Sequence, residues 1–515
     1  MNIMILAGMP ASGKSTVASR LKKAFSLPVL EKDALKEEIF DTMGFDCYAM
    51  KRKADHAANA VLLRCARALL ENGQSMILDN NFDTAARAGK RVIIIEKNGY
   101  LGGNMTLGLP LLGFLDEHGR PCIAGFGEEF VNRLKERKAA YSHRYCPKHN
   151  SVTNVDAEAV KLLAIDLCRE AGVDVLLHLE AHHVEVLNGR IRRAFFFGKC
   201  NEVEITADLF IDCTGDGDLA YLSGCSYEKG RGENEELMPP TVMFTLEGVD
   251  DTKLFDYVAE HPDEMKAACA TIDTKEGYDA DYFRADPNYV FVGMTRLFDR
   301  LKAEGKCPVE RGNIIYINGL HKGEIYVNTT RLLHTDATDI IDLTRAEMDG
   351  HLQVGRLVEM FREYVPGFEN CYVSSIAPSL GVRESRRFKG IKTLTVEEAL
   401  SGSTPDDTIC LSGYKIDIHK DCENATLFQT VDRPFGLPYG TLVSAEIDNL
   451  LFAGRCVSVD ESVIGSVRVM PCCMAMGQAA AIGASLALDR REAPAEVNVA
   501  DIRAELLRQN AILGQ

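Results

Sequence analysis

Two groups of residues in this chain have the identity and spacing that nucleotide chemistry requires, and they come from different designs. Residues 3–16 read IMILAGMPASGKST, an apolar run leading into Gly8-x-x-x-x-Gly13-Lys14-Ser15-Thr16. A glycine loop of that spacing, between a strand and a helix, lets bare backbone amides surround phosphates, while the lysine offsets their charge and the hydroxyl holds magnesium. The expected ligand there is ATP or ADP with magnesium. The second group begins at RVIIIEKNGYLGGN (91–104), where an apolar strand ends in Glu96, an acid placed to bond a ribose. A dinucleotide fold puts a strand and a G-x-G-x-x-G turn roughly 20 residues before that acid. Here the stretch is SMILDNNFDTAARAG (75–89), which has no such turn, and Asn80-Asn81-Phe82-Asp83 stand where it would be.

Three further constellations carry chemical potential. SLGVRESRRFKG (379–390) places Arg383, Arg386 and Arg387 within five positions. Guanidiniums pair carboxylates in a bidentate fork, so this group suits an anionic substrate, and a solvated basic face explains it equally. GYKIDIHKD (413–421) alternates, so Asp417 and His419 share a face, and a histidine there has the pKa of a general acid or base. In ADLFIDCTGDGDLAYLSGC (207–225), Gly215-Asp216-Gly217-Asp218 follows a strand but is not a dinucleotide fingerprint, because the polar, broken YEKGRGENEELMPP that follows contains no strand with a terminal acid.

The elements that must hold these residues follow from periodicity and turn chemistry. After the phosphate loop, TVASRLKKAF continues as an amphipathic helix, LPVLEKD (27–33) is a second strand, a long helix covers roughly 51–72, and SMILDNNF (75–82) is a strand. Residues 156–191 read as a helix and then strands, with Gly189 in a turn. The stretch 448–488 gives a buried strand, Gly454-Arg455, a loop and a helix rich in small residues. A length of 515 residues accommodates two or three domains. The formal charge of −17 leaves no basic stripe for nucleic acid or an anionic membrane, which points to small-molecule chemistry. No signal peptide or membrane span is expected, and the expected compartment is the cytosol. The 16 cysteines include no C-x-x-C, so no local metal motif is expected.

Two family resemblances emerge from these motifs. Residues 1–83 resemble the P-loop small-molecule kinases of the zeta-toxin and chloramphenicol-phosphotransferase kind. That resemblance implies Asp33 as the base for an acceptor hydroxyl and Asp79 in the Walker B position; a helix N-cap and a strand end are the alternatives. The arginine-bearing lid of such kinases does not follow. From Thr84 onward the chain resembles the FAD-dependent oxidoreductases with a glutathione-reductase-like flavin domain. This second resemblance implies that Glu96, Gly102, Gly103, Val184 beside His183, Gly215, Asp216, Gly217, Asp218, Gly454 and Arg455 hold FAD. It also implies that the helix after Gly454-Arg455 directs its N-terminus at the pyrimidine end of the flavin ring.

The expected architecture is α/β: a Rossmann-like FAD-binding domain (84–225 and 441–515, lacking its first strand and phosphate turn), an inserted α+β substrate region (226–440) and a partial P-loop unit (1–83). The expected function is hydride transfer between a small, anionic substrate and flavin, with His419, Arg383, Arg386 and Arg387 as catalytic candidates and the N-terminal segment as a vestigial ATP binder. The alternatives are a P-loop phosphotransferase or an inactive chimera of the two. The strand at 76–79 is expected to fill the vacant sheet position, and FAD to be retained weakly for want of the phosphate turn.

Overall fold

In the computed structural model the chain divides at Ser75, Met1–Gln74 forming one unit and Ser75–Gln515 another. The structure describes residues 76–78 and 90–514 apart from 233–234, 267–275 and 420–425. Gly8, Gly13, Lys14, Ser15, Thr16, Asp33, Asp79 and the Asn80–Asp83 turn lie outside the described residues.

Five parallel strands form the sheet that positions the site, in the order Leu450–Phe452, Leu209–Asp212, Met76–Leu78, Val92–Glu96, Asp174–Leu177. Counted along the chain, this is the doubly wound order 3-2-1-4-5, with the first strand at the centre. Met76–Leu78 is that first strand, with Met76 opposite Val92 on one side and Leu209 on the other. An empty slot there would leave facing rows of backbone N–H and C=O groups unpaired on both neighbours. The segment therefore completes the sheet although its sequence lacks the glycine turn that normally follows.

The strand sequence VIIIE reads as a continuous apolar run because both faces of the sheet are covered. Val92 and Ile94 face a helical layer that includes Ala157–Ala171 and Met470–Arg490. Ile93 and Ile95 face the antiparallel ribbon Glu180–Leu187, Arg190–Gly198 and Asn201–Ile205, where Val184, Ile191 and Phe196 pack. Ala157–Ala171 starts on Asp156, whose carboxylate accepts from the amides of Glu158 and Ala159. Met470–Arg490 is long and apolar enough to cross a membrane by length and composition, yet 89% of its most apolar window is buried inside the protein. Its alanines and glycines let it lie close against the sheet, which makes it a core helix.

A second, antiparallel sheet carries the order Val290–Gly293, Ile314–Asn318, Ile325–Val327, Phe244–Glu247, Tyr372–Ile376. Helices Asp251–Glu260, Thr295–Ala303 and Ile340–Tyr364 contribute to its separate core of aromatic and aliphatic side chains. The fold is thus a Rossmann-like unit with an α+β insertion. The hairpin strands Ile416–His419 and Thr426–Gln429 precede strand Leu450–Phe452 of the parallel sheet.

Candidate active site

A cavity of about 200 Å³ follows the carboxyl ends of the parallel strands, the place where doubly wound folds bind ligands. Glu96 closes its strand with 8% of its surface exposed. One carboxylate oxygen accepts from the backbone N–H of Asn98 (2.7 Å) and from its side-chain amide (2.8 Å). The residue lines the cavity. Burial pushes the Glu96 carboxyl up, against the pull of the Asn98 hydrogen bonds.

After strand Leu209–Asp212 the chain turns through Thr214–Asp218, and Asp212 holds that turn together. Its carboxylate accepts from the Thr214 amide (3.0 Å) and hydroxyl (2.8 Å) and from the Ala220 amide (2.8 Å). Asp216 receives the Arg455 guanidinium at 3.0 Å, and Asp218 receives Arg386 at 3.0 Å. Burial alone would raise Asp216, but Arg455 and the surrounding donors hold it below its ordinary value. Asp218 goes the other way, pushed up to about 6 by burial and by the neighbouring Asp216 and Asp212 carboxylates.

A second cavity of about 170 Å³ adjoins the first, since Asn104 and Val382 line both. It lies between the antiparallel sheet and the start of the core helix, whose Val469 and Met470 form part of its wall. Asp417 and His419, alternate residues of Ile416–His419, point into it with His419 Nε2 3.3 Å from an Asp417 oxygen. Arg468 reaches the other Asp417 oxygen at 3.4 Å. Burial alone would raise Asp417, but His419, Arg468 and Arg383 hold its carboxyl well below the usual range. His419 is lowered to about 3 because burial and the repulsion of Arg383 and Arg468 outweigh the attraction of Asp417. It stands neutral at physiological pH.

The structure sorts the sequence candidates into three places. Glu96, Gly103, Asp216, Asp218 and Arg455 line the strand-end cavity, and Arg383 and His419 line the second one. The remaining candidates lie off both walls. Gly102 and Gly215 turn the backbone beside them. Gly217 is required by packing: a Cβ there would sit 2.0 Å from the Phe388 ring. Gly454 holds φ 101° ahead of Arg455. Val184 is buried in the ribbon core, and the segment that borders the cavity is Leu179–Ala181, upstream of it. His183 is exposed and stacks on Phe195.

The three arginines of 383–387 do not act as one group, nor do they form a solvated face. All are buried. Arg383 donates to the Pro239 carbonyl and to Asn328 at the second cavity. Arg386 donates to the Asp216 carbonyl (3.1 Å) and stacks over Tyr221. Arg387 binds Glu384 (2.8 Å) and the Gly230 carbonyl (3.0 Å). Arg386 and Arg387 fall in strand Arg386–Phe388, where burial forces each charge onto a local partner. Lys148, His149, Arg311, Arg331 and Arg468, which the sequence did not single out, supply the second cavity with most of its ionisable groups. They are scattered over more than 300 positions and share no motif.

A family model described as FAD dependent oxidoreductase matches residues 84–506. A second, an AAA domain, matches residues 3–100. Similar solved structures include a geranylgeranyl bacteriochlorophyll reductase-like protein from Thermoplasma acidophilum, 12% identical, covering 85% of this chain and 84% of that one with a TM-score of 0.43. p-Nitrophenol 4-monooxygenase from Pseudomonas putida is 10% identical over 85% and 84%, TM-score 0.41. A flavoprotein/dehydrogenase from Cytophaga hutchinsonii is 11% identical over 84% and 82%, TM-score 0.41. No curated protein matches the chain.

Proposed function

The chain belongs to the FAD-dependent oxidoreductase family, and from that premise we propose that it moves a hydride between FAD along the strand ends and an anionic small molecule in the second cavity. The observation that carries this reading is the junction of the two cavities at Asn104 and Val382, beside the start of the core helix and within one chamber with Asp417 and His419. The strand-end cavity fits FAD on its own chemistry. The Glu96 carboxylate, lining the cavity at its strand end, is an acceptor for ribose hydroxyls, and the bent backbone at Gly103 leaves room there. When bound, FAD supplies an acceptor for two electrons and a hydrogen.

The side chains do the rest. As a hydride leaves a substrate carbon, the proton on the adjoining oxygen or nitrogen must go to a base, and His419 is neutral and held in orientation by Asp417. Arg383 and Arg468 depress its basicity in the free enzyme. An anion seated on those guanidiniums offsets their field, so the histidine becomes a better base when substrate is present. Amides at the start of Met470–Arg490 offer positive potential to negative charge on the cofactor side.

The test is anaerobic mixing of the FAD-loaded protein with small organic anions, following loss of the flavin absorption band. His419→Asn should slow that bleaching by about 10²–10⁴-fold while flavin stays bound. Bleaching at the wild-type rate in His419→Asn would remove the histidine from the chemistry. For the N-terminal segment, the AAA match covering the loop supports ATP–magnesium binding, and the lack of an arginine-bearing lid in the sequence argues against turnover. Calorimetric titration should show binding that Lys14→Ala weakens by about tenfold; identical isotherms would discard it.

A further inference from the structure

The hairpin Arg144–Cys146 and Asn150–Val152 brings a second histidine into the cavity that holds Asp417 and His419. Cys146 pairs with Asn150, so residues 147–149 form the tip, and Asn150 takes the left-handed φ of 61° that closes it. The tip is tethered, because the Asn150 side-chain amide donates to the Gly413 carbonyl at 3.0 Å. His149 is buried, lines the cavity, and meets the Phe428 ring edge-on with 6.4 Å between centroids. Phe428 stands directly across the strands from Asp417, the partner of His419, and cross-strand partners share a face. Phe428 thus connects the two imidazoles along one wall of the cavity.

The two histidines are held by different chemistry. His419 lies against a carboxylate, which offsets positive charge on its ring. His149 has the Cys146 sulfur instead, 3.6 Å from Nδ1 and the one hydrogen-bond partner of the ring among the described residues. Burial raises the Cys146 thiol and outweighs the pull of the backbone N–H groups of His149 and Lys148, which bond the sulfur. The sulfur therefore keeps its proton and spends its acceptor capacity on those amides, so the S–H is left to donate to Nδ1. That fixes the tautomer: Nδ1 accepts, and Nε2 carries the hydrogen. Burial, with Lys148 beside it, lowers His149 to about 3, so the ring is neutral at physiological pH.

We propose that His149 is a further catalytic residue of this cavity, its Nε2–H donating to the substrate oxygen as the hydride leaves, with Cys146 as the positioning residue that keeps the hydrogen on Nε2. The proposal rests on the hydride-transfer reading and names its substrate class, a small anion that carries a hydroxyl on the reacting carbon. The C–H hydrogen passes to FAD with its electron pair, the O–H proton passes to His419, and the electrons of the O–H bond close the C=O bond. Negative charge builds on the oxygen along the way, and a donor already aimed at it stabilises that state without reorganising. A neutral imidazole serves as such a donor. An amine on the same carbon gains nothing from it, because the nitrogen lone pair enters the C=N bond and no acceptor is left. His149 thus selects a hydroxyl over an amine.

The test uses the FAD-loaded full chain and two readouts that need no turnover. With nitrogen-15-labelled histidine, the spectrum of wild type minus that of His149→Gln isolates the His149 ring: Nε2 should appear protonated and Nδ1 unprotonated, unchanged from pH 5 to 8. Cys146→Ala should bring in the opposite tautomer. The infrared band of the pyruvate keto carbonyl should fall in frequency on addition of wild type, fall less with His149→Gln, which keeps an N–H donor, and stay in place with His149→Phe. Lactate and alanine, matched in shape, are then compared for anaerobic bleaching of the flavin. Lactate should be the faster, and His149→Phe should slow it by about 10²–10³-fold, the loss expected for one donor to a developing oxyanion. The opposite tautomer in wild type, a pyruvate carbonyl that keeps its solution frequency, or alanine bleaching faster than lactate would overturn the proposal. If the tautomer and the carbonyl shift are found but neither compound bleaches the flavin, the hydride reading fails and the donor assignment stands. If lactate bleaches equally fast with wild type and His149→Phe, the hydride reading stands and the donor falls.

Discussion

The two adjoining cavities have opposite charge. Among the described lining residues, six carboxylates (Glu96, Glu180, Asp212, Asp216, Asp218 and Glu347) stand in the strand-end cavity against Lys97 and Arg455, whereas five cations stand in the second against Asp417. Carboxylates accept hydrogen bonds, which suits a hydroxyl-rich ligand such as the ribose and ribityl parts of FAD; guanidiniums donate in a fork, which suits carboxylates. The acidic cavity offers little to a pyrophosphate, because Arg455 already holds Asp216. The construction differs as well. In the acidic cavity some charges are satisfied by neighbours a few residues away, as Asp212 is by Thr214 and Ala220, and others by distant arginines, Asp216 by Arg455 and Asp218 by Arg386. In the basic one the ionisable groups arrive from segments spread over residues 148–468.

The largest expected effect belongs to the local region. Gly217 has φ 67° and no room for a Cβ, which would meet Phe388 at 2.0 Å. Gly217→Ala should destabilise the protein by about 3 kcal/mol, from left-handed strain plus overpacking, read as a shift of the denaturant midpoint. Adding Phe388→Ala should relieve the clash part. A Gly217→Ala protein of unchanged stability would show that the turn yields, and that its glycine serves the ligand after all.

Next comes Glu96→Gln, which keeps the shape and removes the charge from the ribose acceptor. FAD affinity should fall about tenfold, the difference between a charged and a neutral acceptor, measured by flavin fluorescence quenching. Affinity for a small organic anion in the second cavity, measured at saturating FAD, should not change. A parallel loss of both would mean the cavities act as one site, and the comparison above would collapse.

Sequence reading reached the local region and stopped at the dispersed one, for a physical reason. Glu96 at a strand end, the TGDGD turn and Gly454-Arg455 announce themselves because backbone geometry and side-chain role are set within five or six residues. The Asp417–His419 pair was legible for the same reason, through strand alternation. The arginine triplet misled because closeness in sequence is not closeness of side chains: in strand Arg386–Phe388 successive residues leave on opposite faces, and Arg383 lies before the strand begins. Arg311, Arg331 and Lys148 carry no local signal, since tertiary packing alone brings them together. The central strand Met76–Leu78 was legible as a filler, and it lies before the oxidoreductase match at 84–506 and inside the AAA match at 3–100. Three apolar residues with free backbone groups meet the sheet's requirement at that slot, whatever their origin.

The smallest expected effects are a mirror pair that tests the two fields directly. Asp218 in the acidic cavity is raised from 3.8 to about 6 by burial first and then by Asp216 and Asp212. Lys148 in the basic cavity is lowered from 10.5 to about 8, mainly by burial and further by Lys415, against the pull of Cys146. Between pH 3.8 and about 6 the folded protein keeps a proton on Asp218 that the unfolded chain releases, so this group's contribution to stability falls as pH rises through that window. Between about 8 and 10.5 the folded protein has released the Lys148 proton while the unfolded chain retains it, so the contribution rises with pH there. Each effect is isolated by subtraction: wild type against Asp218→Asn in the acid window, wild type against Lys148→Met in the alkaline one, both as denaturant midpoints. The alkaline window carries a second readout of opposite sign, because loss of the lysine charge above about pH 8 weakens the hold on an anion while the free protein gains stability. Affinity for a small carboxylate probe such as butyrate that stays flat from pH 7 to 10 in the wild type would place Lys148 outside the anion's reach.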